Sequence, residues 1–152
     1  MKLYCQEYLE SLEYMVDKVE TGSMEKEYHV LNNEDKANIV HQVMCEGVEI
    51  LKIESRVKNY YEYHNKSFED CLTVRFLKEG GITIKYPQGE NYDFKAGEVF
   101  LSYGGDKSEE VFIPKPERKI NLLILILSKD YLKNFREDEE VNKSIRYLKE
   151  NL

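Results

Sequence analysis

Residues 70–105 read DCLTVRFLKEGGITIKYPQGENYDFKAGEVFLSYGG, and this stretch decides the fold. Apolar side chains recur at every second position in Leu72-Val74-Phe76, in Ile82-Ile84-Tyr86 and in Val99-Leu101-Tyr103. A period of two belongs to a pleated strand, whose side chains point alternately to its two faces. Glu79-Gly80-Gly81, Pro87-Gln88-Gly89, Lys95-Ala96-Gly97 and Gly104-Gly105 break the pattern with turn chemistry. Parallel strands would need a helical crossover between them, and the spacing leaves no room for one. An antiparallel sandwich or barrel follows.

Outward from this stretch, the same period runs from about Tyr28 to Ser128. It predicts strands over 27–31, 39–45, 48–57, 60–64, 71–77, 82–86, 92–94, 99–103, 111–113 and 120–128. The last of these holds the longest apolar run, INLLILIL, which is too short to cross a bilayer and suits a buried strand. At the N-terminus, Tyr8, Leu9, Leu12, Met15, Val16 and Val19 recur at three- and four-residue steps. That predicts an amphipathic helix over 3–19, with Gly22 as its stop. Past the strands, Ser128 is placed to cap a short helix over 129–135. A second helix from Asp138 puts Val141, Ile145, Leu148 and Leu152 on one stripe, a candidate dimer seam. The expected organisation is an N-terminal helix (1–23), a β domain (24–128) and C-terminal helices (129–152).

A chain of 152 residues is long enough to bury the core of one ordinary domain. Its net charge is -7, the wrong sign for gripping a phosphate backbone unaided. Three cysteines, Cys5, Cys45 and Cys71, form no CxxC and are expected to be reduced thiols in the cytoplasm, most of them in the core. The opening MKLYCQEYLE has no apolar segment of the signal-peptide kind, and no membrane association is expected.

The short motifs of catalysis do not occur. His29, His41 and His64 are isolated, with no HxH, HxxxH or HExxH. Gly80-Gly81 and Gly104-Gly105 serve turns and build no phosphate loop, and no GxSxG is present. These absences predict a protein without catalytic residues, metal or cofactor, and not an enzyme. Tyrosine is abundant instead, at 12 residues, and tryptophan is missing. Tyr86 shares a face with Ile82 and Ile84, and Tyr103 with Val99 and Leu101. Taking those faces as inward, Tyr61, Tyr63, Tyr86 and Tyr103, with Phe76 as a wall, are the expected ligand-binding set. The plainer alternative is that these rings fill the core and point their hydroxyls to the rim. By the same alternation Arg75 falls on the face opposite Leu72, Val74 and Phe76, and is expected to be exposed or paired with a cross-strand carboxylate.

Four segments in order, EGVEILKIES (46–55), DCLTVRFLKEGGITIKY (70–86), YDFKAGEVFLSYGG (92–105) and KINLLILILSKDYLKNF (119–135), carry a family resemblance. The chain resembles the N-terminal effector-binding and dimerisation domain of AraC-type transcriptional regulators, over about residues 28–150. The resemblance implies a mainly β, cupin-like antiparallel jelly-roll barrel flanked by helices. It further implies a small-molecule effector, a homodimer, and DNA contact only through a C-terminal helix-turn-helix domain that this chain does not contain. Metal-binding cupins carry an HxH with a later Glu and His, and this chain does not match that pattern. Two other classes stay open: a cupin-type enzyme (an isomerase or a metal-dependent dioxygenase), and a protein-interaction module without a ligand.

Overall fold

The computed structural model describes residues 16–21, 25–32, 35–56, 58, 63–66, 70–86, 89–103, 109–116, 118–134, 143, 146, 147 and 150. Among them run β1 (Val16–Thr21), β2 (Glu25–Asn32), β3 (Asp35–Cys45), β4 (Val48–Arg56), β5 (Tyr63–Lys66) and β6 (Cys71–Glu79). Then follow β7 (Gly81–Lys85), β8 (Asn91–Lys95), β9 (Val99–Tyr103), β10 (Glu109–Pro114) and β11 (Lys119–Ser128). A short helix, α1 (Lys129–Lys133), continues directly from β11.

The strands build a seven-stranded sheet in the order β1-β2-β3-β4-β11-β6-β9 and a four-stranded sheet in the order β5-β10-β7-β8. Neighbours are antiparallel throughout. From β4 onward the chain passes back and forth between the sheets, which is the winding of a jelly roll. The core lies between the two layers. Leu51, Leu77, Leu122, Ile124 and Ile126 come from the large sheet, and Ile82, Ile84 and Phe94 from the small one. Burial of each such side chain contributes about 1.5–3 kcal/mol, and together they hold the layers face to face.

Every strand expected from the sequence is present, with shifted ends. The departure is β1. Val16 and Val19 were assigned to the stripe of an N-terminal helix, yet 16–21 is a strand paired along β2, with Val19 opposite Tyr28. A partner strand supplies a ladder that local helical periodicity does not anticipate, and β-branched Val16, Val19 and Thr21 suit it. Residues 1–15 lie outside the described set. At the other end Ser128 caps α1 as expected, its hydroxyl accepting from the Tyr131 amide at 3.0 Å. Lys143, Arg146, Tyr147 and Glu150 are helical and exposed, whereas Val141, Ile145, Leu148 and Leu152 lie outside the described residues. Cys71 is buried as expected, but Cys45 is exposed. Among the described residues no helix is long and apolar enough to cross a membrane.

The β3–β4 hairpin turns through Gly47, whose φ of 83° is left-handed. A Cβ there would stand 2.3 Å from Ser128 Oγ and 2.8 Å from Tyr131 Cβ, so the turn is pressed against the end of β11 and the start of α1. Gly97 has a similar φ of 89°, with nothing within 4 Å of a built Cβ. Gly97→Ala should therefore cost only the backbone term, about 1 kcal/mol. Gly47→Ala adds the clash and should cost about 3 kcal/mol. Urea midpoints at unchanged slope would check the difference.

Candidate functional site

Alternation along β6 places Cys71, Thr73, Arg75 and Leu77 on one face and Leu72, Val74 and Phe76 on the other. Cys71 and Leu77 belong to the core cluster, so the first set faces the lumen. The cross-strand register extends this face over the large sheet. Arg75 stands opposite Ile124 and Phe100, and Ile124 opposite Leu51. One step along, Thr73 stands opposite Ile126 and Ser102, and Ile126 opposite Glu49. Leu77 and Leu122, with Ile53 beyond, close the other end with apolar side chains.

The lumen is thus apolar at one end and polar at the other. His41, Glu49, Thr73 and Arg75 are among the most buried residues of the chain, Arg75 at 1% exposure. His41 Nε2 lies 2.8 Å from Glu49 Oε2. Which of the two atoms carries the shared proton follows the tautomer of the imidazole. Arg75 Nη1 donates to Ser102 Oγ at 3.0 Å. Ser102 Oγ and Thr73 Oγ1 are 2.7 Å apart, and Thr73 Oγ1 donates to the Ser102 carbonyl at 3.3 Å. A consistent order results: guanidinium to Ser102, Ser102 hydroxyl to Thr73, Thr73 hydroxyl to the backbone. Each bond in such a chain polarises the next.

Phe100 connects this cluster to the surface. Its ring lies 5.7 Å from the Arg75 guanidinium carbon, 5.9 Å from the Phe94 ring and 5.5 Å from the Tyr92 ring. Tyr92 is exposed at the rim and donates its hydroxyl to Glu98 at 3.2 Å. Its phenol is raised above the ordinary value, first by desolvation and then by the hydrogen bond and charge of Glu98. An aromatic wall therefore leads from solvent to the buried guanidinium.

Several expectations change here. Arg75 is buried inside the lumen, not exposed. Phe76, expected as the pocket wall, and Tyr103, expected among the ligand-binding tyrosines, lie on the outward face, away from the lumen. The assignment took the more apolar face of β6 and β9 as the inner one, but here that face is the outer one and the inner face carries Thr73, Arg75 and Ser102. Tyr86 does pack against the core cluster from the Ile82–Ile84 face. Tyr63 lies in β5 opposite Phe112, and Tyr61 lies outside the described residues. The signal that the sequence does carry is a lone charged residue inside an apolar alternation, as Glu49 between Val48 and Ile50 and Arg75 between Val74 and Phe76.

Chemically, the cluster can hold an anionic or hydroxylated group against the guanidinium and hydroxyls. The His41–Glu49 couple holds an imidazole in a fixed orientation, as needed to take or give a proton. Among the described residues no group of three or more His, Cys, Asp or Glu gathers in a way that could hold a metal ion.

No family model and no curated protein matches this chain. Solved structures do. The FeII form of HppE is 10% identical, with a TM-score of 0.55 over 72% of this chain and 60% of HppE. The cupin domain of Schizosaccharomyces pombe Cnp3 is 13% identical, with a TM-score of 0.51 over 73% of this chain and 77% of that one. A sugar phosphate isomerase from a cupin superfamily, from Silicibacter pomeroyi, is 11% identical, with a TM-score of 0.43 over 59% of each chain. The expectation that the chain is not an enzyme is corrected, since HppE, an enzyme, shares this fold and missing short motifs do not exclude catalysis on it. At such identities the likeness speaks for architecture, and the architecture is that of a cupin jelly roll.

Proposed function

We propose that this chain is the effector-sensing domain of an AraC-type transcriptional regulator, with a small polar molecule bound in the lumen of the jelly roll. The observation that carries the reading is two polar groups on the inner face of the large sheet, buried His41 with Glu49 and buried Arg75 and Thr73 with half-buried Ser102. Burying charged groups is costly, and an apolar core of equal volume is commonly as stable or more so. Polar groups of this kind at one end of an otherwise apolar lumen, beside an aromatic wall, have the composition of a small-molecule site. The ligand class is one that accepts hydrogen bonds, a carboxylate or a polyhydroxylated compound, anchored on Arg75 and flanked by Phe100.

In this reading the effector favours one arrangement of barrel and adjoining segments, and a helix-turn-helix unit outside these residues reads the change on DNA in the cytoplasm. The effector can shift that balance only by its differential affinity for the two arrangements. The acidic balance of the chain agrees with leaving phosphate contact to another part.

Stability measurements separate a functional cluster from a structural one. His41→Leu or Glu49→Leu alone should cost about 1–3 kcal/mol, because each strands a buried polar partner. The double replacement should return to within about 1 kcal/mol of the parent, with the excess appearing as coupling in the double-mutant cycle. Ligand binding is tested by thermal-shift screening of sugars, aromatic acids and peptides, followed by calorimetry on any hit. Arg75→Met should weaken a hit about 10- to 100-fold, the worth of a hydrogen bond to a charged group. Phe76→Leu and Tyr103→Phe, on the outward face, should leave affinity unchanged. A hit indifferent to Arg75→Met and Phe100→Ala would place the site elsewhere, and conversion of a hit to a new product would overturn sensing as the primary role.

A further inference from the structure

The inner face of the large sheet is sealed unevenly. On β6 its residues Thr73 and Arg75 are buried, but on β9, one strand further out, Phe100 and Ser102 are only half-buried. Strand β9 is the last of the seven-stranded sheet and β8 the last of the four-stranded one. Tyr92 and Phe94 stand opposite Ile84 and Ile82 of the core cluster, on the inner face of β8. Their rings meet Phe100 across the gap between the sheets, at 5.5 Å and 5.9 Å. The lumen therefore opens toward solvent where the two last strands face each other, along three rings, with buried Arg75 at the inner end.

A guanidinium recognises a carboxylate through two parallel N–H···O bonds, a planar match of fork to fork. Here the guanidinium carbon also stands 5.7 Å from the centre of the Phe100 ring, so an acid group placed on it arrives beside an aromatic face. Between Arg75 and the rim the described wall offers rings, where a sugar would need a polar partner for each hydroxyl it buries. An aromatic solute gains from such neighbours beyond the area it covers. At the rim, Glu98 accepts from the Tyr92 hydroxyl at 3.2 Å and from the Lys95 amide at 2.8 Å. A carboxylate in that place favours a further donor and repels a second acid group.

We infer that the solute held in this lumen is an aromatic monocarboxylic acid. Its carboxylate lies on Arg75, its ring packs on Phe100 beside Tyr92, and a donor such as a phenolic hydroxyl is directed to Glu98. The inference rests on the lumen being an effector site and narrows that reading, setting polyhydroxylated compounds aside. Three selections follow, each from one side chain: Arg75 demands the acid, Phe100 the flat ring, and Glu98 rejects a diacid.

The test is isothermal titration calorimetry of the full chain with benzoate, 4-hydroxybenzoate, cyclohexanecarboxylate, terephthalate and gluconate. Benzoate and 4-hydroxybenzoate should bind with Kd below about 1 mM. Cyclohexanecarboxylate, alike in charge and size but not flat, should bind about 2- to 10-fold more weakly, the extra worth of ring contacts. Terephthalate should be weaker than 4-hydroxybenzoate by about 3- to 10-fold, and gluconate weaker than benzoate by at least about tenfold. These comparisons need no variant. Phe100→Leu should abolish the preference for benzoate over cyclohexanecarboxylate. Tyr92→Leu, at the exposed rim, should weaken both aromatic acids about 2- to 5-fold and guards against misfolding of the Phe100 variant. Gluconate bound more tightly than benzoate, and lost in Arg75→Met, would overturn the inference while leaving an effector site in the lumen. Aromatic binding indifferent to both Phe100→Leu and Tyr92→Leu would overturn it too. So would no heat from any of the five acids at about 10 mM, and the effector reading beneath it falls only if the sugars and peptides of the wider screen are also inert.

Discussion

Strand β11 lies between β4 and β6 and is apolar on both faces, and the rest of the fold depends on that position. Ile120, Leu122, Ile124 and Ile126 are buried in the lumen, while Leu123, Leu125 and Leu127 are half-buried outside. A strand with two apolar faces is weakly informative about its own register, because a one-residue slip exchanges leucines for isoleucines at little hydrophobic cost. The register must be held by neighbours that lose more. At its C-terminal end the Ser128 amide donates to the Gly47 carbonyl at 2.8 Å, and the Lys129 amide that follows donates to the Asp70 carbonyl at 2.7 Å. The Gly47 turn, closed on Ser128, pins the end of the strand as well. The turns closed on its end therefore fix β11 where hydrophobic pattern alone does not, while His41–Glu49 and Arg75–Ser102 favour the β3–β4 and β6–β9 registers beside it.

Most of the architecture was legible because its signals are local. Turn residues and two-residue periods sit within a few positions of one another, so β2 to β11 and the Ser128 cap could be located from short windows. Strand β1 was not, since its amphipathic helical spacing is real and only the presence of β2 beside it decides the outcome. The interior of the site was harder for a different reason. Alternation states which residues share a face, and it is silent on which face is inside. Where the inner face carries the polar groups, as in β6 and β9, counting hydrophobic residues selects the wrong one. Phe76 and Tyr103 were misplaced by that rule, and Arg75 with them. His41 and Glu49 meet across a hairpin with a register shift between Val43 and Cys45, which no fixed spacing would reveal.

The exposure pattern separates two kinds of residue that composition lumps together. Tyrosine abundance drew attention to rings, yet the ring in contact with Arg75 is Phe100, and the tyrosine on its path to solvent is Tyr92. A phenylalanine beside a guanidinium offers its quadrupole without a hydroxyl that would itself need a partner in the lumen. Tyr92, at the rim, can keep its hydroxyl wet and bonded to Glu98. The gradient from Tyr92 through Phe100 to Arg75 follows from where water is available to satisfy a polar tip.

One backbone serves both surfaces of the large sheet. Arg75 points into the lumen and its neighbours Val74 and Phe76 point outward, and on β9 Ser102 is inward between the outward Leu101 and Tyr103. A ligand that draws Arg75 or Ser102 toward itself must move the same peptide units that carry the outward row. Packed sheets do not deform continuously, so such a movement resolves into discrete arrangements. On the proposed reading a bound effector would be felt in the placement of the outward row, by an amount set by its differential affinity for the two arrangements.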